Sequence, residues 1–312
     1  MDLITVRFSD FQSHSDVVKV FDILEDRSPS DLKVVLDFSG HEKVYSDYLL
    51  LIVAALDRLT RLGYRISYEV DKTSVNKDKL DYVSRVDFFK NLGIEYHEDF
   101  PRFRTVGRFT EIRSFDNNNA LLLFNRMMSV LVHDEINIEM LAVLKYCLWE
   151  VIDNTLNHSG EGFTYGRGTG FGSIQYFPTH KEIRIIIADC GVGIHHALTR
   201  HPNSNYKDLT EKQAVLAAVQ KGVTNGEGRG FGLWATAELI KHNQGKLQIH
   251  SGNSLLEVTN NQKVKEAPFW RGTYTTFKLN TDIAVSDKLI FGESSTILES
   301  YIEDLEDDNE DI

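Results

Sequence analysis

One helix-length stretch, CLWEVIDNTLNHS from Cys147 to Ser159, constrains the fold most, because it sets polar groups along one side of an apolar helix. Glu150, Asn154 and His158 recur at every fourth residue, so they project from one helical face. The apolar residues between them fall on the opposite face and can pack against a sheet: Leu148, Val151, Ile152 and Leu156. A carboxylate and an amide one turn apart in a core are costly without a ligand, a metal or water. The stretch therefore predicts a helix that carries a site.

Composition excludes several classes of protein. The 312 residues allow about two domains, and the contents of 42% hydrophobic and 26% charged residues are those of a globular protein. Nine of the 46 acidic residues lie in the twenty residues from Glu293 onwards. The rest of the chain therefore contains 37 acidic and 34 basic residues. The acidity belongs to a tail, assigned to residues 283–312, which we expect to be solvated. A nearly neutral body predicts no nucleic-acid partner.

Cysteine usage and hydropathy indicate the compartment. Cys147 and Cys190 have no metal-type spacing and fit a reducing cytosol. The segment after Met1 is an alternating strand-like run rather than a secretion signal. The longest apolar run, residues 49–56, is far shorter than the roughly 20 residues of a bilayer span. We expect a cytoplasmic protein without a membrane anchor.

The first third of the chain alternates between strand and helix patterns. Strands are predicted near residues 3–8, 32–38 and 64–70, and helices near 15–25, 47–62 and 77–92. This alternation favours a small α/β domain with buried parallel strands, which we place at residues 1–98.

The runs VVLDFSGHEKVYSDYLLLIVAALDRLTRLGYRISYEV and YVSRVDFFKNLGI resemble the STAS domain of anti-sigma-factor antagonists and sulfate transporters. That family carries a phosphorylatable Ser-Ser-Gly element, and Ser46, Asp47 and Tyr48 stand at the matching positions. Ser46 has two interpretations. One is a helix N-cap whose hydroxyl accepts from a backbone N–H, and the other is a phosphorylation switch.

Residues 99–118 contain a proline, a glycine and four arginines without helical periodicity. They predict a linker that runs into the first strand of a second domain at residues 119–282. We expect the arginines to be solvated. The alternative is that they contact a nucleotide or a partner protein. Helices are then predicted at residues 119–132 and 136–158, and the second contains the polar stripe.

Three further motifs follow in order. The apolar strand EIRIIIA ends in Asp189, which opens the sequence DCGVG and suits an acceptor in a pocket that backbone approaches closely. The run GEGRGFGL, from Gly226 to Leu233, leads into a helix, where N–H groups and the helix N-terminus can hold phosphates. The pair Gly272-Thr273 then opens the strand TYTTFKL.

The ordered set of ExxxN, DxGxG, GxGxGL and GT resembles the GHKL ATP-binding fold of gyrase, heat-shock chaperones, mismatch-repair proteins, histidine kinases and anti-sigma-factor serine kinases. The resemblance covers about residues 113–279 and implies a Bergerat-type α/β sandwich with a mixed sheet and an ATP lid at residues 195–227. It also implies ATP and Mg²⁺ as cofactors.

The resemblance assigns roles to individual side chains. It implies that Asn154 is the Mg²⁺ ligand and that Asp189 accepts the adenine amino group, supported by Thr273. Glu150 is implied to be the general base of the hydrolytic and serine-kinase branches. Asn157 is also expected at the nucleotide, since it stands where many histidine kinases have a basic residue near the phosphates; the difference separates this chain from them.

The glycine motifs are assigned by the same resemblance. Gly191 and Gly193 are implied to leave space for the adenine ring. Arg229 is a phosphate partner by charge. The remaining residues of the phosphate loop are Gly228, Gly230, Phe231, Gly232 and Leu233.

Two functions from different classes stay open. The first is a bacterial regulatory enzyme that transfers the γ-phosphoryl group of ATP to water or to a protein serine. The second is a non-catalytic interaction module that uses ATP as a conformational ligand. Both imply a protein partner, and a homodimer stays open.

Overall fold

The computed structural model describes residues 4–7, 13–38, 44–71, 77–102, 107–132, 136–159, 169–200, 204–224 and 230–292. Strands and helices alternate in the N-terminal unit: β1 (Ile4–Arg7), α1 (His14–Glu25), β2 (Asp31–Leu36), α2 (Ser46–Arg61), β3 (Arg65–Val70), α3 (Lys77–Arg85) and α4 (Phe88–Asn91). The C-terminal unit contains β4 (Arg113–Phe115), α5 (Ala120–Val132), α6 (Ile138–Ser159), β5 (Gly170–Phe177), β6 (Glu182–Asp189), α7 (Gly193–Arg200), α8 (Glu211–Ala218), α9 (Gly232–His242), β7 (Lys246–Val258), β8 (Gln262–Asn280) and α10 (Asp287–Phe291). No helix among these combines the length and hydropathy of a membrane span.

The N-terminal sheet has three parallel strands in the order β1-β2-β3. Parallel strands need crossover connections, and the helices α1 and α2 supply them. Helix α1 begins where Ser13 accepts a hydrogen bond from the backbone N–H of Asp16. The predicted alternation and parallel pairing are therefore present, whereas the STAS resemblance stays a prediction.

The helix predicted at residues 77–92 is wrong in one respect, because it is interrupted between α3 and α4. Asp87 adopts a left-handed backbone conformation with φ of 61° and is almost completely buried. Arg102 lies 2.5 Å and Arg113 3.2 Å from its carboxylate oxygens. These two arginines were expected to be solvated, but they compensate a buried charge.

The C-terminal sheet has five strands in the order β4-β5-β6-β8-β7 and forms an α/β sandwich, as predicted. The expected mixture of strand directions is wrong, since all four pairings are antiparallel. Short connections explain the direction: a single 3₁₀ turn joins β5 to β6, and three residues join β7 to β8.

Each face of this sheet has its own hydrophobic core. The helices α5, α6 and α9 cover one face, and α10 packs on them through contacts of Phe291 with Tyr146 and Trp234. Residues 283–292 thus pack onto the sandwich, while residues 293–312 of the predicted acidic tail lie outside the described residues.

The N-terminal unit covers the other face of the same sheet. Its apolar side chains form one core with residues from β5, β6 and β8: Phe171, Ile186, Ala188, Trp270 and Tyr274. A hydrogen bond from the backbone N–H of Phe269 to Asp22 crosses this interface at 3.2 Å. The two units share a core rather than only a linker.

Ser46 lies inside this interface, and its predicted capping role is wrong. The helix begins at Ser46 itself, with Tyr45 as the N-cap residue and no side-chain cap. Its side chain is 3% exposed, and its hydroxyl oxygen accepts a hydrogen bond from the hydroxyl of Ser173 at 3.2 Å. A phosphate has no room here while the units are docked.

Candidate functional site

The helix α6 forms one wall of the candidate site and carries its polar stripe from Glu150 to His158. These two residues are eight positions apart in the sequence, so they lie about 12 Å apart along the helix axis. The turn after β6 contacts the His158 end, and the start of α9 contacts the Glu150 end. The DxGxG turn and the start of α9 therefore both lie against the helix of the first motif, and Gly272 of the fourth motif lies against Asp189.

Asp189 is the last residue of β6, and its carboxyl group is 5% exposed. One of its carboxylate oxygens accepts from the backbone N–H of Gly191 at 2.8 Å. The backbone N–H of Thr273, on the neighbouring strand, also donates to this carboxylate. Burial raises the pKa of Asp189 to about 7, against the lowering effect of these two hydrogen bonds.

No basic side chain within the described ranges forms an ion pair with Asp189. A buried carboxylate without a cation is costly. It becomes a favourable acceptor when a neutral donor, such as the amino group of a purine, enters the site. The chemistry of this residue therefore fits adenine.

The DxGxG turn packs directly on the end of α6. The backbone N–H of Val192 donates to the carbonyl oxygen of His158 at 3.3 Å. A Cβ atom on Gly191 would lie 2.2 Å from the same oxygen, so no larger residue fits. Gly191 was expected to leave space for the adenine ring, but at this position the backbone of His158 and Ser159 occupies that space.

Gly193 and Gly272 are required for a similar reason. Both have positive φ angles, 77° and 88°. A Cβ atom on Gly193 would lie 2.7 Å from the hydroxyl oxygen of Ser251, and one on Gly272 would lie 2.5 Å from a carboxylate oxygen of Asp189. The backbones of three segments thus converge around the carboxyl group.

Glu150 lies at the other end of the site, against the start of α9. A Cβ atom on Gly232 would lie 2.3 Å from the carboxylate oxygen Oε2 of Glu150. A helix N-terminus carries positive partial charge, which favours a carboxylate or a phosphate beside it. Gly230 precedes this helix with φ of 67°, and its carbonyl oxygen accepts from the N–H of Gly222 at 2.9 Å.

The remaining residues of the predicted phosphate loop differ in their surroundings. Phe231 is the N-cap residue of α9 and packs edge-to-face on Trp234, while Leu233 packs against the core. Gly228 and Arg229 lie outside the described residues, so their predicted contacts with phosphate stay predictions.

The two asparagines of the stripe are placed differently. Asn154 is half-buried on α6, one turn from Glu150, and makes no side-chain hydrogen bond to another described residue. Asn157 is exposed, and its amide donates to Asp153 at 2.9 Å. Burial raises the pKa of Asp153, and this hydrogen bond opposes the effect. Asn154 is therefore the better placed of the two for a ligand.

Magnesium fits this donor set. Within the described ranges, no group of three or more His, Cys, Asp and Glu side chains could hold a metal ion. Mg²⁺ does not need such a group, since it keeps several waters and binds one or two protein oxygens plus substrate phosphates. The amide oxygen of Asn154 could be such a protein ligand.

The region between the second and third motifs, predicted to be the ATP lid, contains α7 and α8. Helix α8 begins with a capping box formed by Thr210 and Gln213. The carboxylate of Glu211 then accepts from the backbone N–H of Asn253 in β7 at 2.8 Å. Residues 201–203 and 225–227 of this region lie outside the described residues.

Two residues near Asp189 were missed by the sequence reasoning. Ser251 in β7 contacts both glycine segments. The indole N–H of Trp270 donates to the carbonyl oxygen of Asp189 at 3.1 Å from the side of the N-terminal unit. The alternating run LQIHSG could have revealed the strand that carries Ser251, whereas only the fold brings Trp270 to Asp189.

Comparison with known proteins agrees with this geometry. Residues 142–283 match the family model described as histidine kinase-, DNA gyrase B-, and HSP90-like ATPase. The matched range contains all four motifs. Residues 142–283 therefore form a domain of this type, and proteins of this family bind ATP, usually with Mg²⁺. No curated protein matches the chain.

Proposed function

We propose that this chain is a Mg²⁺-dependent ATP-binding protein that transfers the γ-phosphoryl group of ATP to water or to a protein serine. One observation carries the proposal: the carboxyl group of Asp189 is buried without a basic partner among the described residues, at the meeting point of the family's motifs. A purine amino group would supply the hydrogen-bond donor that this carboxylate lacks.

The position of Glu150 supports catalysis rather than binding alone. Its carboxylate lies beside the N-terminus of α9, where backbone N–H groups can also face phosphate oxygens. Glu150 would accept the proton of the attacking hydroxyl group and orient its oxygen. Asn154, one turn further along α6, would hold Mg²⁺, which neutralises charge that develops on the phosphate oxygens.

The N-terminal unit gives the proposal its regulatory part. It packs on the opposite face of the sheet in one core with Trp270 of β8, whose indole N–H donates to the carbonyl oxygen of Asp189, and Ala54 of α2 accepts from the thiol of Cys190 directly after β6. We propose that a bacterial regulatory protein partner acts through this unit in the cytoplasm, in the manner of the anti-sigma-factor kinases that the motifs resemble. A second copy of the chain is the other partner we consider.

Radiolabelled ATP distinguishes the two phosphoryl acceptors. We expect the purified full chain, incubated with Mg²⁺ and candidate partner proteins, to release labelled phosphate if water attacks, or to yield labelled protein if a serine attacks. Glu150→Gln keeps the shape of the side chain and removes the base. It should lower the rate by about 10²-fold or more with little loss of ATP binding.

Glu139→Gln is the matched control, because Glu139 is an exposed residue in the first turn of the same helix. Its rate should equal that of the wild-type protein. If Glu150→Gln and Glu139→Gln turn over ATP equally fast, Glu150 is not the base. If Glu150→Gln keeps the biological activity that Asn154→Ala abolishes, the chain is a non-catalytic, ATP-gated interaction module.

A further inference from the structure

Ser251 occupies the position in β7 where the pairing register with β8 shifts. Its side chain is 3% exposed. The hydroxyl oxygen accepts from the backbone N–H of Ile194 at 2.8 Å and from the hydroxyl of Thr273 at 3.3 Å, and the hydroxyl donates to the carbonyl oxygen of Gly272 at 2.9 Å. A serine hydroxyl has one donor and two acceptor sites. All of them are used.

These three hydrogen bonds join the two backbone segments that flank Asp189. One segment is Gly193-Ile194, at the start of α7 and directly after the DxGxG turn. The other is Gly272-Thr273, which lies opposite the end of β6 and donates a backbone N–H to Asp189. The hydroxyl of Ser251 therefore fixes the separation of the two segments.

The close packing around Ser251 leaves these segments little freedom. Gly193 comes so near the hydroxyl oxygen that a Cβ atom would lie 2.7 Å from it, and a Cβ atom on Gly272 would lie 2.5 Å from the carboxylate of Asp189. If the hydroxyl is removed, the backbone N–H of Ile194 loses its acceptor in a buried site. The segments can then relax, and the carboxylate moves with Gly272-Thr273.

We propose that Ser251 is a positioning residue for purine recognition, which holds the acceptor carboxylate of Asp189 where an adenine amino group can reach it. The inference rests on the proposed function and extends it to a residue that touches no nucleotide. The expected effect of removing the hydroxyl of Ser251 is specific to recognition of the base. Loss of the hydroxyl should weaken the preference for ATP over GTP, because adenine presents an amino group at C6, where guanine has a carbonyl oxygen that an acceptor repels, and should leave the rate at saturating ATP unchanged.

The chain supplies a matched control on the same strand. Ser254 is 1% exposed, and its hydroxyl oxygen has no hydrogen-bond partner within the described part of the chain. Ser254→Ala and Ser251→Ala remove the same atom from equally buried positions in β7. Only the second substitution breaks contacts with the nucleotide site.

The test measures the affinity of the full-length chain for ATP and GTP by calorimetry with Mg²⁺, together with thermal unfolding of each variant. We expect Ser251→Ala to bind ATP about tenfold more weakly than wild type. The ratio of its affinity for ATP to its affinity for GTP should fall correspondingly. Ser254→Ala should stay within about twofold of wild type. Ser251→Thr, which keeps the hydroxyl, should restore most of the ATP-to-GTP ratio.

Ser251→Cys gives the same comparison if the alanine variant does not fold, since a thiol is a poor hydrogen-bond former of similar shape. If the wild type binds ATP and a folded Ser251 variant without the hydroxyl keeps the affinities and the nucleotide ratio of Ser254→Ala, the positioning role is overturned. If the wild type itself binds no ATP, the proposed function fails, and the role of Ser251 fails with it.

Discussion

Replacing Asp189 by asparagine should stabilise the fold while destroying the nucleotide site. The carboxyl group is buried, its pKa is raised to about 7 from an ordinary 3.8, and two backbone N–H groups are its hydrogen-bond donors. Asparagine keeps an oxygen for these donors and has no charge to bury. Its NH₂ group would then face the amino group of adenine, so two donors would oppose each other.

The magnitude follows from the two pKa values. Below pH 3.8 the carboxyl group is protonated in both the folded and the unfolded chain, and its ionisation costs no stability. As the pH rises from 3.8 to about 7, the unfolded chain ionises first, so stability is lost by roughly 1.4 kcal/mol for each pH unit. Above pH 7 the penalty is constant at roughly 4 kcal/mol. The stability gained in Asp189→Asn should therefore be larger at pH 8 than at pH 5 by roughly 3 kcal/mol.

Urea unfolding of wild type and Asp189→Asn at pH 5, 6, 7 and 8 measures this difference. Because all other titrating groups are common to both proteins, their contributions cancel in the comparison. Calorimetry on the same samples should show that the more stable variant has lost ATP binding. A stability difference that stays constant from pH 5 to pH 8 would refute the assignment of Asp189 as a buried, unpaired carboxylate.

Two further substitutions probe the catalytic end of the site and the interface with the N-terminal unit. Gly232→Ala would place a Cβ atom 2.3 Å from the carboxylate of Glu150. We therefore expect the carboxylate to shift and the rate of labelled-phosphate transfer to fall about tenfold or more. An unchanged rate would contradict the role of Glu150. Ser46→Asp would bury a charge at a position that is 3% exposed, and should cost roughly 3 kcal/mol or more in urea unfolding at pH 7; a variant as stable as wild type would show that the units do not dock as described.

The sequence predicts the elements whose pattern is local. Helix α6 is expected at residues 136–158 and observed at Ile138–Ser159, because its apolar positions follow the helical repeat over six turns. The strand that delivers Asp189 is equally clear, since a continuous apolar run ends in a carboxylate followed by glycines. The order of the four motifs also predicts which residues meet along α6.

The sequence does not predict what depends on distant partners. The helix break at Asp87 requires Arg102 and Arg113, which are brought to it only by the folded chain. The N-terminal unit was expected to be a separate domain, but its apolar helices cover the second face of the sheet. Ser251 is an ordinary serine in sequence, and only strand pairing places it between two glycine segments.

Calorimetric titration of the full-length chain with ATP, with and without Mg²⁺, tests most directly whether residues 142–283 bind ATP through Asp189. We expect wild type to bind ATP more tightly in the presence of Mg²⁺, and Asn154→Ala to lose this dependence on the metal. Asp189→Ala should bind at least about 30-fold more weakly, since it removes the charged acceptor from a buried site. Equal affinities of wild type and Asp189→Ala for ATP, or no heat of binding for wild type, would contradict the assignment.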